Sequence, residues 1–224
     1  MSRGLGDVYK RQALYSCENS EKSLEIKLSH LDEIISIGRY TPFERLNDMS
    51  KMEIGHVYGL GVSGFLGSTI EIESAVFPAK KKGAGVVRFN DTAGSMAKDS
   101  VFNAASVIRS LTDKDIKDYD IHVNVIGGGK IDGPSAGAAI TTCIISALLK
   151  KPIRQDIAIT GEISLQGKIR PVGGIFEKIY GAKRMGINLV LIPKENEHEI
   201  PLNNTDIEVK TVETIEELMD IAFN

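Results

Sequence analysis

The chain has 224 residues, of which 42% are hydrophobic and 25% charged, with a formal net charge of −3 and a pI near 5.9. That balance fits an ordinary soluble globular chain, long enough for one sizeable domain and a small appendage, and gives no electrostatic reason to expect a nucleic-acid partner. No apolar run approaches bilayer length and no basic-then-apolar signal opens the chain, so the expectation is a cytoplasmic protein with no membrane role; two cysteines, Cys17 and Cys143, make no disulfide framework.

Residues 1–20 mix Gly, Arg, Asn and Ser without sustained periodicity. The opening Met1-Ser-Arg-Gly-Leu-Gly-Asp-Val-Tyr-Lys-Arg-Gln12 resembles translated adapter sequence, so this stretch is read as a disordered or non-native lead-in. From Glu21 to Gly38, Leu24, Leu28, Leu31 and Ile35 recur at helical spacing, which predicts a helix within a segment 21–47 that precedes the main domain, 48–224. His56–Val62 and Ser68–Phe77 read as strands flanking a Gly-rich turn. Gly85–Phe89 reads as a third after an exposed tip at Lys80-Lys-Lys82, and together the three predict an antiparallel meander. Ser95–Leu111 carries Val101, Ala104, Ala105, Ile108 and Leu111 on one stripe and predicts an amphipathic helix.

Tyr119–Ile126 alternates polar and apolar residues with a β-branched bias and reads as a strand. Three glycines then free the backbone, Gly133 can cap, Pro134 suits the first helical position, and the residues up to Leu149 are apolar nearly all round, so a buried helix is expected. Asp156–Thr160 reads as a short buried strand, Leu165–Pro171 as turn-rich, and Gly174–Met185 as a helix stopped by Gly186. A strand at Asn188–Ile192, another near Ile207–Val209 and a helix carrying Ile215, Leu218 and Ile221 complete the chain. Strands and helices mix without strict alternation, so the fold class is α/β in the loose sense, a mixed α+β arrangement of one mixed sheet with flanking helices.

Ser135 sits in the first turn of the expected buried helix, where unpaired N–H groups and the positive dipole end converge and would favour an alkoxide or a tetrahedral oxyanion. It is the candidate nucleophile; the plain alternative is a capping serine. Gly127-Gly-Gly-Lys130 is not a phosphate-binding loop, because Ile131 follows the lysine where Ser or Thr is needed. His122 could be imagined as a base for Ser135, but nothing in the sequence fixes its direction.

Two longer motifs narrow the reading. Asp132-Gly-Pro-Ser-Ala-Gly137 resembles the nucleophile motif of the Lon protease family, and Thr160-Gly-Glu-Ile-Ser-Leu-Gln-Gly-Lys-Ile-Arg-Pro-Val-Gly-Gly-Ile-Phe-Glu-Lys178 resembles the segment bearing its catalytic lysine. The similarity covers roughly Ile54 to Phe223 and is nearest in look to the Lon B-like branch, through Val125-Ile-Gly-Gly-Gly-Lys-Ile131. Many members carry a Pro-Lys pair before the Asp and two strand histidines, where this chain has Ile131 and Asn124.

The resemblance implies the Lon proteolytic-domain fold and a serine endopeptidase with a Ser-Lys dyad, Ser135 as nucleophile and Lys178 as general base. A lysine can take that role only when desolvated, and burial together with its own helix N-terminus would depress its pKa. Thr160 is implied beside the dyad, where its hydroxyl could hold the lysine amine, although a threonine at a strand end has an ordinary β-propensity reading. Asp132 is implied as a loop residue able to bond the helix N-terminus or contact Lys178. Backbone N–H groups of Ser135 and its neighbours are the candidate oxyanion donors, with Gly133 and Ala136 as further supporting residues. No metal site and no cofactor are expected in this chain; ATP and magnesium belong to an ATPase domain absent from it, of which segment 21–47 resembles the end. The partners implied are short or unfolded polypeptide substrates and further copies in a hexameric ring. The alternative is a non-catalytic assembly or binding module that keeps the fold with an idle dyad.

Overall fold

The longest strand, the 13 residues Leu66–Pro78, lies in the interior of a seven-stranded mixed sheet in a computed structural model. The structure describes residues 50–63, 66–90, 94–126, 133–201 and 207–224. The readings of 1–20 and 21–47, of Cys17 and of the loop Gly127–Asp132 lie outside the described residues. The described residues, all within 50–224, belong to one compact unit.

In chain order the strands are β1 (Met52–Glu53), β2 (His56–Ser63), β3 (Leu66–Pro78), β4 (Val87–Phe89), β5 (Tyr119–Ile126), β6 (Ile153–Arg154), β7 (Ile157–Ile159), β8 (Glu162–Ile163), β9 (Ile169–Arg170), β10 (Leu189–Pro193) and β11 (Glu208–Val212). The helices are α1 (Ser95–Thr112), α2 (Gly137–Leu149), α3 (Ile175–Met185) and α4 (Ile215–Ala222). The main sheet runs β11-β10-β7-β2-β3-β5-β4, with β1–β6 and β8–β9 as separate two-stranded pairs.

The expected meander does not form. β2 and β3 pair antiparallel from His56↔Glu73 to Ser63↔Leu66, but β3 turns its other edge to β5, and β4 lies beyond β5 in parallel register. The tri-lysine turn therefore lies between strands that are not neighbours and is not a hairpin tip. The physical reason lies in α1: its 18 residues carry the chain from β4 back over the sheet, the crossover that a parallel pair requires.

One sheet face packs α1, α2 and α4 over Val57, Ile72, Ile121, Val123, Ile157 and Leu189. The opposite face is covered by α3, whose Ile175, Ile179 and Ala182 meet Tyr58, Leu60, Ala158, Val190 and Ile192. Strands β7 and β10 are consequently buried on both faces, which is why they read as short unbroken apolar runs; β5 alternates buried Ile121, Val123 and Val125 with exposed His122, Asn124 and Ile126. Helix α3 lies so close to β3 that only glycine fits at the crossing. A Cβ on Gly67 would stand 1.7 Å from the Glu177 carbonyl oxygen, and one on Gly181 would stand 2.4 Å from the Gly67 carbonyl carbon.

Candidate active site

Parallel strands β2, β7, β10 and β11 share one direction, and the residues just past the carboxyl end of β7 are where a helix from each sheet face can arrive together. The first arrival is α2. Its residues Gly137–Ser146 and Leu148 are buried, since an all-round apolar helix has no face to give to water. Ahead of it Gly133 is extended (φ −179°, ψ 157°), Pro134 presets the next residue, and Pro134–Ala136 form one 3-10 turn. Ser135 therefore lies in this tighter turn rather than in the α-helix proper. No side-chain hydrogen bond caps either the turn or α2, so Ser135 is not engaged as a cap.

Three hydrogen bonds fasten this turn to the residues after β7. Gly161 N–H donates to the Ser135 carbonyl (2.9 Å), the Thr160 hydroxyl donates to the same oxygen (3.3 Å), and Ala138 N–H donates to the Gly161 carbonyl (3.0 Å). Thr160 is fully buried, and its own N–H donates to Leu191 of β10 (3.0 Å). Thr160 thus ties the serine's turn to the sheet. Ala136 is fully buried beside Ser135, which is itself half-buried.

The second arrival is α3. Its N-cap, Gly174, is left-handed (φ 71°), and a Cβ there would come 2.8 Å from Val62 Cγ2, so glycine is required on both counts. Gly174 accepts the Lys178 N–H (3.0 Å), setting the side chain one turn into the helix. Lys178 is 3% exposed. Burial pushes its pKa down to about 8, against an opposing pull from the Glu199 carboxylate.

Ser135 and Lys178 open into one cleft of about 380 Å³, with Glu162, Val62, Pro134 and the segment Pro171–Gly173 also on its walls. A larger cavity of about 570 Å³ lies between α1 and β4, lined by Phe89, Phe102 and Arg109 among others, and contains none of the expected site residues. Chemistry decides between them: only the smaller one pairs a hydroxyl with a buried, depressed amine. His122 is exposed on β5, edge-on to Phe77 at 6.1 Å, and does not line the cleft. Cys143 is buried in α2 with its thiol donating to the Ile72 carbonyl (3.4 Å), and burial raises its pKa, so it is no nucleophile. Asp132 lies outside the described residues.

Two contributors escaped the sequence reading. Glu162, half-buried on the cleft wall, lay inside the quoted lysine motif but had no role attached to it. Asn196 is 3% exposed in a 3-10 turn, Lys194–Glu199, whose other residues are exposed. Its only sequence signal is an uncharged amide in a run of charges, which is too weak to use.

Comparison with known proteins fits this geometry. Residues 25–224 match the family described as the Lon protease (S16) C-terminal proteolytic domain. The chain belongs to the Lon protease proteolytic-domain family. It is 38% identical to Lon protease 2 of Bacillus subtilis over 214 residues, covering 90% of this chain and 39% of that protein. It is 40% identical over 176 residues to the archaeal Lon protease of Thermococcus kodakarensis, covering 76% of this chain and 28% of that protein. It is 34% identical over 234 aligned positions to the Lon protease of Geobacter metallireducens, covering 100% of this chain and 28% of that protein. The chain thus spans well under half the length of these Lon relatives. Its seven-stranded mixed sheet with flanking helices is the fold expected of a Lon proteolytic domain.

Proposed function

We propose that this chain hydrolyses peptide bonds as a serine endopeptidase, with Ser135 as nucleophile and Lys178 as general base. One observation carries the reading: a lysine 3% exposed, its pKa lowered to about 8, opens into the same cleft as a serine at the head of a buried helix. An amine with that pKa is partly neutral near physiological pH and can accept a proton, which an ordinary lysine cannot.

The Ser135 hydroxyl passes its proton to Lys178 Nζ as Oγ attacks the substrate carbonyl carbon. The resulting oxyanion needs donors. Gly137 N–H is spent on the Pro134 carbonyl and Ala138 N–H on Gly161, so the N–H groups of Ser135 and Ala136 remain the candidates, held by the extended Gly133 before them. When the C–N bond breaks, the lysine proton goes to the leaving amine, and the acyl chain stays as an ester on Ser135. Water then gives a proton to Lys178 Nζ and attacks the ester carbon; as the C–Oγ bond breaks and the new carboxyl end leaves, Lys178 returns that proton to Oγ, restoring both the hydroxyl and the neutral amine. Thr160 steadies Ser135 through its carbonyl while its hydroxyl lone pairs remain free to accept from the lysine amine. Asp132 is assigned to the approach loop and holds no catalytic proton.

Family membership supports a wider reading of the native protein. The domain 48–224 serves as the proteolytic part of an ATP-dependent, hexameric, cytoplasmic protease acting on unfolded polypeptides. ATP and magnesium act in a separate ATPase domain whose end is represented by 21–47, with 1–20 foreign to both.

The test replaces each dyad member and compares peptide cleavage with thermal melting. Ser135→Ala should lose hydrolysis with its fold intact. Lys178→Arg should be as inactive as Lys178→Ala, because arginine keeps the charge but does not give up its proton in a protein. Retained cleavage in Ser135→Ala overturns the nucleophile; substantial activity in Lys178→Arg overturns the base.

A further inference from the structure

One wall of the cleft that holds Ser135 is a short stretch of chain, Pro171-Val-Gly173, between β9 and α3. Among the described residues no strand pairs with it. Instead Val172 N–H donates to Asn196 Oδ1 (3.0 Å) and Asn196 Nδ2 donates to the Val172 carbonyl (3.0 Å). This is the two-bond exchange that a directly opposed residue makes in an antiparallel ladder, supplied here by one side-chain amide. The remaining N–H of that amide goes to Glu199 Oε1 (2.5 Å), so all of Asn196's donors are used and its orientation is fixed. An ion pair from Arg170 to Glu195 (2.8 Å), both half-exposed, ties β9 to the same turn and adds little energy by itself.

In extended chain the N–H and C=O of one residue point to one side and those of its neighbours to the other. With Val172 turned to Asn196, the Pro171 carbonyl and the Gly173 N–H face the opposite way. All three residues line the cleft. Gly173 N–H makes no hydrogen bond among the described residues, and nothing lies within 4 Å of the point where its Cβ would be, so another backbone can approach closely. An unpaired donor beside an unpaired acceptor on an exposed edge is a template for strand addition.

We propose that Asn196 is a positioning residue which stands in for an outer strand, fixing Pro171–Gly173 so that its inner edge pairs with the backbone of an extended polypeptide substrate. The inference rests on the peptidase reading above and deepens it. Main-chain pairing ignores side chains, so the site takes any polypeptide that can be drawn out straight, and rejects one locked in helix or turn.

The experiment has a protein arm and a substrate arm. In the first, Asn196→Ala is compared with the parent chain on a quenched peptide spanning the cleft and with a small organophosphate that labels Ser135 without presenting a peptide backbone. KM for the peptide should rise about ten-fold, the worth of one or two main-chain hydrogen bonds, with kcat changed far less and the labelling rate unchanged. A merely structural asparagine would slow labelling and cleavage alike, which would overturn the proposal, as would a parent-like KM. In the second arm the unaltered chain meets a series of peptides, each with one carbonyl on the acyl side reduced to methylene. One member should lose about ten-fold in kcat/KM in the parent and little more in Asn196→Ala, because both changes remove the same pairing. If the variant does not fold, the substrate arm decides alone, and a series with no sensitive position overturns the proposal. Failure of the underlying reading looks different: Ser135→Ala would still cleave, whereas an inert Ser135→Ala with a parent-like Asn196→Ala defeats this inference only.

Discussion

Lys178 is a cation held in a place that disfavours cations, and this can be measured apart from catalysis. Its folded pKa is about 8 against an ordinary 10.5. At about 1.4 kcal/mol per unit, keeping the ammonium folded costs about 3 kcal/mol at neutral pH. The sign follows from proton counting. Below about 8 both folded and unfolded states are protonated and the cost is felt in full; between about 8 and 10.5 the unfolded chain holds the extra proton, so stability climbs with pH; above 10.5 the cost is gone. Lys178→Met, similar in length and apolar, should therefore melt higher than the parent at pH 7, by up to about 10 °C. The gap should close as pH approaches 10.5. Thermal melts of both chains from pH 6 to 10, within the range in which the parent stays folded, check this; an Lys178→Met chain that melts lower at pH 7 would mean that the lysine stabilises the site. A residue that weakens its own fold at working pH is what a base built from lysine requires, since the same burial that costs stability frees the amine.

At the level of elements, the site depends on how closely α3 can lie on the β2–β3 hairpin. Gly181→Ala separates two effects of opposite sign. Alanine is the better helix former by roughly 1 kcal/mol, but its Cβ would meet Gly67 carbonyl atoms at 2.4 and 2.5 Å and the Ser68 nitrogen at 2.8 Å, all backbone and unable to swing aside. Overpacking of this kind costs about 1–3 kcal/mol, so the clash wins. The variant should be less stable and, with α3 pushed off the hairpin, should lose hydrolysis out of proportion to its stability; chemical denaturation beside peptide cleavage checks both. The same closeness explains what was and was not legible in the sequence. Local signals located α1, α3 and β5 to within a residue and the end of α2 at Leu149, though its expected first turn is a 3-10 turn: the stripe through Val101, Ala104 and Ile108, the glycines bounding Ile175–Met185, the unbroken apolar run after Pro134, and the alternation at Ile121, Val123 and Val125. Strand partnership is not local. The run Val87–Phe89 carries no mark of choosing β5 over β3, since the α1 crossover that decides it appears only when the chain is closed. That Ser135 and Lys178 would come to one cleft was legible because their neighbours form long ordered motifs. Asn196 was not, because its partner Val172 lies 24 residues away and an asparagine among charges looks like a solvated turn.

For the whole molecule, the decisive quantity is how a substrate reaches the cleft. The chain of 224 residues contains no G-x-x-x-x-G-K-[ST] string, and the proposed reading expects no nucleotide-driven step from it. Pro171–Gly173 and Ser135 line the same cleft, and the proposed backbone pairing and attack by Ser135 both demand an extended segment. A folded substrate exposes one only when it opens spontaneously, in a fraction on the order of 10⁻³ to 10⁻⁶ of molecules. The purified chain should therefore cleave a fluorogenic peptide and a permanently unfolded protein, and should cleave a stable folded protein slower by a factor of that order. ATP and magnesium should change none of the three rates. Stabilising the folded substrate with its own ligand should slow its cleavage further in proportion to the stability added, because cleavage then tracks the open population. All three substrates, each with and without nucleotide, form one measurement. Acceleration of folded-protein cleavage by ATP would show a motor within these 224 residues and would direct attention to Gly127-Gly-Gly-Lys130, the one run of three glycines followed by a lysine in the chain. Equal rates on folded and unfolded proteins would show instead that the cleft accepts chain that is not extended, and would count against strand pairing at Gly173.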